Sequence, residues 1–164
     1  MSNREKRLTW TKYRDNIHKD FATIISQIKS LSKTLSKKVF AVGFSNGGYW
    51  AAALAARGDI DSGVNYYGAY SEAGTVIRSE LESGSILEEA GSNSAPLLMF
   101  HDTDDSRVGL ETAEVFEGLY PNVVAYYYDD VDHGFERKSR FDAYNEKAAK
   151  DSWGKTLEFL KKFL

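Results

Sequence analysis

The chain has 164 residues, a length that suits one domain with a buried core, and we therefore predict a single domain over residues 1–164. Apolar residues make up 42% of the sequence and charged residues 27%, which is typical of a globular protein and excludes a disordered one. The net charge of −3 argues against a nucleic-acid-binding surface, and the absence of cysteine excludes disulfides, thiolate metal sites and a cysteine nucleophile.

The sequence contains no apolar run long enough to span a bilayer. Its first residues, 1–7, are charged and lack the apolar segment that is typical of a secretion signal. We therefore expect no membrane partner and a cytoplasmic location.

The predicted elements alternate between helices and strands. Apolar residues recur at three- and four-residue steps from Trp10 to Leu35, which predicts a long amphipathic helix. Apolar runs predict four strands, at Val39–Val42, Gly63–Tyr67, Leu97–His101 and Val123–Tyr128. Further helices are predicted at Asn46–Arg57, Gly109–Leu119 and Asp142–Phe163. This alternation predicts an α/β fold, a three-layer α/β/α sandwich with a four-stranded parallel sheet.

The polar stretch Ser71–Ser94, which contains several Gly and Ser residues, is predicted to be a lid or excursion.

A Gly-x-Ser-x-Gly sequence lies between the first predicted strand and the helix that follows it. Ser45 is its central residue, flanked by Gly43 and Gly47. Between a strand and a helix, this pattern is the nucleophile elbow of serine hydrolases, a strained turn with an exposed hydroxyl. We predict that side chains at positions 43 and 47 would collide with the turn. The backbone N–H of Asn46, at the positive end of the helix, is the predicted oxyanion donor.

Carboxylates and a histidine follow two of the other predicted strands. Asp102, Asp104 and Asp105 come after the third strand, and His133 comes after the fourth. Because the carboxyl ends of parallel strands meet at one edge of a sheet, we expect these side chains to lie near Ser45. The order Ser, Asp, His is that of α/β-hydrolases, in which the histidine is the general base and the carboxylate orients it. The main alternatives for the acid are Asp105 and Asp104.

Three segments together resemble the dienelactone hydrolase family of the α/β-hydrolase superfamily. They are residues 43–48 (Gly-Phe-Ser-Asn-Gly-Gly), His101-x-x-x-Asp105-x-x-Val108, and Asp132-His133-Gly134-Phe135. The resemblance covers nearly the whole chain. It implies Ser45 as nucleophile, Asp105 as acid and His133 as base, with no metal or organic cofactor. It also implies hydrolysis of a small-molecule carboxylic ester or lactone through an acyl-enzyme. Dienelactone hydrolases proper carry Cys as nucleophile, so Ser45 favours the family's serine esterases.

In full-length members of this family, several strands precede the helix that corresponds to Trp10–Leu35. A loop after one of those strands supplies the second oxyanion donor. We therefore expect a truncated α/β-hydrolase fold that is short at its N-terminus. Val39–Val42 would then be an edge strand, and proteins normally cover such edges. This predicts a homo-oligomer or another partner along Val39–Val42.

Two other functions are consistent with parts of the pattern. The first is a non-catalytic binding module that retains the elbow as a relic. The second is a Mg²⁺-dependent phosphatase, because clustered carboxylates can hold that ion. Its candidate ligands are Asp102, Asp104, Asp129, Asp130 and Asp132. The phosphatase hypothesis leaves Ser45 and His133 without a role.

Overall fold

The computed structural model describes residues 3–31, 37–70 and 86–164. Over these residues, one parallel sheet has four strands whose spatial order equals their order in the chain. The strands are β1 (Phe40–Phe44), β2 (Ser62–Tyr66), β3 (Leu97–Asp102) and β4 (Val123–Tyr128). The α-helices are α1 (Asn3–Ser30), α2 (Asn46–Ala56), α3 (Leu110–Leu119) and α4 (Glu146–Lys161). The predicted α/β fold with four parallel strands is confirmed.

The helices cover both faces of the sheet, so the molecule has three layers. On one face α1, α2 and α3 share a core with β3, in which Phe116 and Met99 are fully buried. On the other face α4 packs on the sheet, with Phe159 in the same cluster as Leu98. The inner strands β2 and β3 are buried along their whole length because helices cover both of their faces.

Two predicted helices begin at other residues than expected. The first helix begins at Asn3 instead of Trp10 and ends at Ser30, and the predicted end at Leu35 lies outside the described residues. Apolar periodicity locates only the packed part of a helix, and the charged residues before Trp10 include good helix formers. The last helix begins at Glu146, where the Asn145 side chain caps it.

Most of the predicted lid or excursion, Ser71–Ser94, lies outside the described residues, which resume at Ile86. The described remainder begins with a short 3₁₀ helix, Ile86–Glu88. Ile86 is buried in the core that α2 and α3 share, and its N–H donates to the carbonyl of Tyr70 at 3.0 Å. The part of the stretch around Ile86 therefore belongs to the core. For the residues of Ser71–Ser94 outside the described part, the lid stays a prediction.

β1 forms one edge of the described sheet and pairs only with β2 there. Val42 and Phe44 of β1 are exposed. Their register partners Val64 and Tyr66 belong to the core on the α4 face, so both exposed side chains lie on that face. None of the helices in the described part of the chain is long and apolar enough to cross a membrane.

Candidate active site

Ser45 lies in the turn between β1 and α2. Its backbone dihedrals are φ 52° and ψ −117°, a conformation that L-residues rarely adopt and that costs about 1–3 kcal/mol. The turn is held from both sides. The Ser45 N–H donates to the Tyr66 carbonyl at 2.9 Å, and the Ser45 carbonyl accepts from the Gly48 N–H at 2.9 Å. The strained geometry that the sequence predicts for this turn is therefore observed.

Lack of space explains two glycines of the turn, Gly43, as predicted, and Gly48 instead of the predicted Gly47. A Cβ at Gly43 would lie 1.9 Å from the carbonyl oxygen of Gly47, so only glycine fits there. A Cβ at Gly47 would meet nothing within 4 Å, so the predicted collision at this position is wrong. The crowded position is Gly48, where a Cβ would lie 2.2 Å from Oδ1 of Asn65 on the neighbouring strand.

The structure brings Ser45, His133 and Asp105 together at the carboxyl edge of the sheet. The distance from Ser45 Oγ to His133 Nε2 is 2.9 Å, and that from His133 Nδ1 to Asp105 Oδ2 is also 2.9 Å. With its proton on Nδ1, the imidazole donates to Asp105 and accepts from the Ser45 hydroxyl. The Asp105 side chain is fully buried. Asp104 is exposed and lines a separate cavity.

The Asp105 carboxylate is fixed by backbone donors as well as by the imidazole. Its Oδ1 accepts from the N–H groups of Arg107 at 2.7 Å and Val108 at 2.8 Å. Burial raises the pKa of Asp105, but the hydrogen bonds from His133 and from these two N–H groups outweigh burial and leave the pKa below its ordinary value. Asp105 is therefore ionised at neutral pH, as a carboxylate that orients a histidine must be.

Asp132 ties the loop that carries His133 to the loop that carries Asp105. Its Oδ1 accepts from the His133 N–H at 2.7 Å and from the Ser106 N–H at 3.1 Å. On the other side, the Arg140 guanidinium donates to the His133 carbonyl at 2.9 Å. Hydrogen bonds to the N–H and to the carbonyl of His133 thus fix its backbone, which keeps the imidazole between Ser45 and Asp105.

A cavity of about 410 Å³ opens beside Ser45. Its lining combines aromatic, cationic and acidic residues: Phe44, Ser45, Tyr67, Arg107, His133, Gly134, Glu136, Arg137 and Arg140. The ring of Tyr67 packs on that of His133 with centroids 4.7 Å apart, and its hydroxyl donates to Glu136. Arg140 is paired with Asp142 at 2.8 Å, so Arg107 and Arg137 stand against Glu136, and the lining keeps a positive balance.

No pattern in the sequence predicted a role in this site for Tyr67, Glu136 or the arginines of the cavity. Arg137 and Arg140 follow His133 in the same loop, and Arg107 follows Asp105. A search for cations close to the predicted acid and base could have found them. Their convergence on one cavity depends on loop geometry, which local sequence patterns do not encode.

The sequence model of the dienelactone hydrolase family matches residues 3–164. The chain belongs to the dienelactone hydrolase family. This confirms the resemblance that the three motif segments indicated.

Individual members of the family and of its fold are similar to this chain. A protein of Azospirillum brasilense that carries the name carboxymethylenebutenolidase is 32% identical over 114 residues, which are 68% of this chain and 44% of that protein. A structure from Klebsiella pneumoniae, named as a dienelactone hydrolase, has a TM-score of 0.69 at 22% identity and covers 85% of this chain. A sugar hydrolase structure from Lactococcus lactis has a TM-score of 0.73 at 18% identity and covers 93% of this chain. At these identities, the structural similarity shows the α/β-hydrolase fold alone.

This dienelactone hydrolase family chain spans about half the length of the first of these relatives. It covers 44% of the Azospirillum protein and 57% of the Klebsiella chain, against 72% of the Lactococcus chain.

The predicted oxyanion donor lies at the start of α2. Asn46 is the first residue of that helix and directly follows Ser45. The first N–H groups of a helix have no intrahelical acceptor and carry the positive end of the helix dipole. The Asn46 N–H thus has the setting that an oxyanion donor needs, and its role stays a prediction.

A carboxylate cluster lies behind the imidazole. Oxygen atoms of Asp102, Asp105 and Asp132 all lie within 4.8 Å of one another. Three of the Mg²⁺ ligands that the sequence suggested, Asp104, Asp129 and Asp130, are exposed and lie outside this cluster. A cation in the cluster would share Asp105 with His133, so a metal site and the Ser–His–Asp arrangement are competing uses of one carboxylate.

Proposed function

We propose that this chain is a serine hydrolase that cleaves a carboxylic ester or lactone through an acyl-enzyme on Ser45. The observation that carries the proposal is the pair of 2.9 Å contacts that join Ser45 Oγ to His133 and His133 to Asp105. A serine hydroxyl is a weak nucleophile until a neighbouring base takes its proton. Family membership supports the same chemistry.

The proposed reaction has two halves. Ser45 Oγ attacks the carbonyl carbon of the substrate while its proton passes to His133 Nε2, and the ionised Asp105 stabilises the imidazolium. The oxyanion is stabilised by the Asn46 N–H. Collapse of this intermediate breaks the bond to the alcohol, which leaves with the proton from His133. Water then gives a proton to His133 and attacks the acyl carbon, and Ser45 regains its hydrogen as the acid leaves.

The positive lining of the cavity supports a substrate that carries a carboxylate. Arg107 and Arg137 line the cavity beside Ser45, together with Arg140, which is paired with Asp142, and with Glu136, the one acidic residue that the structure places in this lining. Arginine binds carboxylates through charge-assisted, often bidentate hydrogen bonds. The name of the Azospirillum relative denotes a lactone that carries a carboxymethylene group. We therefore propose an anionic ester or lactone over a neutral one.

A panel of substrates tests this function. We expect the purified chain to hydrolyse aryl esters at rates that a chelator does not change. We expect kcat/KM to be about tenfold higher for an aryl ester with a carboxylate in its acyl group than for the neutral ester of the same length, because one charge-assisted hydrogen bond contributes about 1.5–3 kcal/mol. Turnover of an aryl phosphate that depends on Mg²⁺ would instead support the phosphatase. Turnover of neither class would support the binding module.

We also infer that a second copy of the chain covers the edge of β1 that has no partner strand among the described residues. Val42, exposed beside this edge, and the free backbone groups of an edge strand support such a contact. Light scattering at high concentration is expected to give a dimer that Val42→Lys converts to a monomer. Val124→Lys, which places the same charge at an exposed position of β4, is the matched control and should leave the dimer intact. A monomer at all concentrations would contradict the inference.

A further inference from the structure

A second carboxyl group lies behind the proposed acid of the relay. Asp102 is the last residue of β3, and none of its surface is exposed. Its carboxyl oxygens lie near those of Asp105 and Asp132, within the cluster whose oxygens are all within 4.8 Å of one another. Its own backbone N–H lies near these oxygens, but among the described residues no hydrogen bond from another residue reaches either of them. A buried carboxyl group without donors requires a physical explanation.

The charges around Asp102 disfavour its ionised form. An ionised carboxylate that is buried without donors is strongly destabilised and takes up a proton instead. Oxygen atoms of two other carboxylates, Asp105 and Asp132, lie within 4.8 Å of its own, and the phenols Tyr67 and Tyr70 are near enough for its charge to raise their pKa. Burial, followed by the negative charges of Asp105 and Asp132, raises the pKa of Asp102 to about 8.

The Asp105 carboxylate has room for one more donor. An ionised carboxylate offers about four lone pairs. Three of them are used, by His133 Nδ1 and by the N–H groups of Arg107 and Val108. A protonated carboxyl group beside it can supply the fourth hydrogen bond, and an O–H that donates to a carboxylate makes a strong one.

We propose that Asp102 is a neutral carboxylic acid that donates a hydrogen bond to the Asp105 carboxylate and thereby positions the group that orients His133. Its effect on catalysis rests on the proposed function, whereas its protonation in the folded state does not. Asp102 touches no reacting atom and is a positioning residue. Above the pH at which it ionises, a second negative charge repels Asp105, and the orientation of the imidazole is lost.

The protonation state is tested by stability against pH, with no reference to activity. In the unfolded chain Asp102 titrates near its ordinary value, 3.8, and in the folded chain near 8. Between these values the folded state holds a proton that the unfolded state has lost, so stability falls as pH rises. Asp102→Asn has no proton to lose at this position. The quantity to compare is the folding equilibrium constant of the natural chain divided by that of Asp102→Asn. We expect this ratio to fall about tenfold per pH unit from about pH 4 to pH 8 and to stay constant above pH 8.

Urea unfolding from pH 4 to 9 measures this ratio. Asp20→Asn, the same change at an exposed site on α1, is the matched control. The folding constant of the natural chain divided by that of Asp20→Asn should not fall tenfold per pH unit over this range. A ratio for Asp102→Asn that does not change with pH, or that rises with it, would show an ionised Asp102 and overturn the proposal. So would stabilisation of the natural chain by added Mg²⁺ that Asp102→Asn abolishes, since the cluster would then hold a cation.

The positioning role is tested by kinetics on an aryl ester. Asp102→Leu removes the donor and is expected to lower kcat about tenfold with little change in KM. Asp102→Asn restores an N–H donor and should recover part of that loss. In the natural chain kcat/KM should decline above about pH 8, and in Asp102→Asn this alkaline decline should be absent. An unchanged alkaline decline would refute the positioning role. If the natural chain hydrolyses no ester, the proposed function fails, and the unfolding ratio still decides the proton on Asp102.

Discussion

Replacing Ser45 by alanine is expected to lower kcat for ester hydrolysis about 10⁴-fold or to the background of spontaneous hydrolysis. The substitution removes the atom that forms the acyl-enzyme, and His133 then has no hydroxyl to activate. Losses of this size or larger follow removal of the nucleophile in serine hydrolases, and the remaining rate comes from binding and the oxyanion donor. KM should change little, because the cavity keeps its lining. Initial rates on an aryl ester measure both constants.

Two comparisons separate loss of chemistry from loss of structure. Alanine at the Ser45 position has the same positive φ as serine, so the strain of the turn and the unfolding midpoint should change little. Ser30→Ala, at the exposed end of α1, removes a hydroxyl away from the cavity and should keep full activity. If Ser45→Ala retained more than one-tenth of the natural rate, the acyl-enzyme on Ser45 would be wrong.

Asp105→Asn is expected to lower kcat by about 10³- to 10⁴-fold. An amide in place of the carboxylate can donate to His133 Nδ1, which places the imidazole proton on Nε2. That tautomer cannot accept the proton of Ser45, and the imidazolium also loses its neighbouring charge. Initial rates on an aryl ester measure this loss.

Asp20→Asn again provides the matched control, since it makes the same chemical change at an exposed site of α1. It should leave the rate unchanged. Asp105→Asn with a rate within tenfold of the natural chain would assign the acid to another carboxylate. Asp104, the alternative that the sequence left open, would then be tested in the same way.

Local patterns were enough to predict the sheet and the elbow. Four apolar runs alternating with helices predicted the parallel strands, and the placement of Ser45 after the first run predicted the strained turn that the structure contains. These features depend on neighbouring residues and on the handed geometry of strand–helix units. The family was recognisable because its motifs lie at the ends of such strands.

Features that depend on loop geometry were not predictable in the same way. Asp104 and Asp105 are adjacent, and only the fold of the loop shows that Asp105 accepts from the N–H groups of Arg107 and Val108 and faces His133. The crowding at Gly48 comes from Asn65 on another strand, so no local pattern contains it. Burial of the Asp102 side chain is likewise a tertiary effect. The single domain, the cytoplasmic location and the roles of the site residues stay predictions.

Covalent labelling shows whether Ser45 is an activated nucleophile. A fluorophosphonate reacts with activated serines and forms a stable adduct, so it does not depend on the natural substrate. Mass spectrometry of the intact protein and of its peptides is expected to show one adduct on Ser45, and Ser45→Ala should show none. No adduct on the natural chain, or an adduct on another residue that survives in Ser45→Ala, would show that Ser45 is not an activated nucleophile.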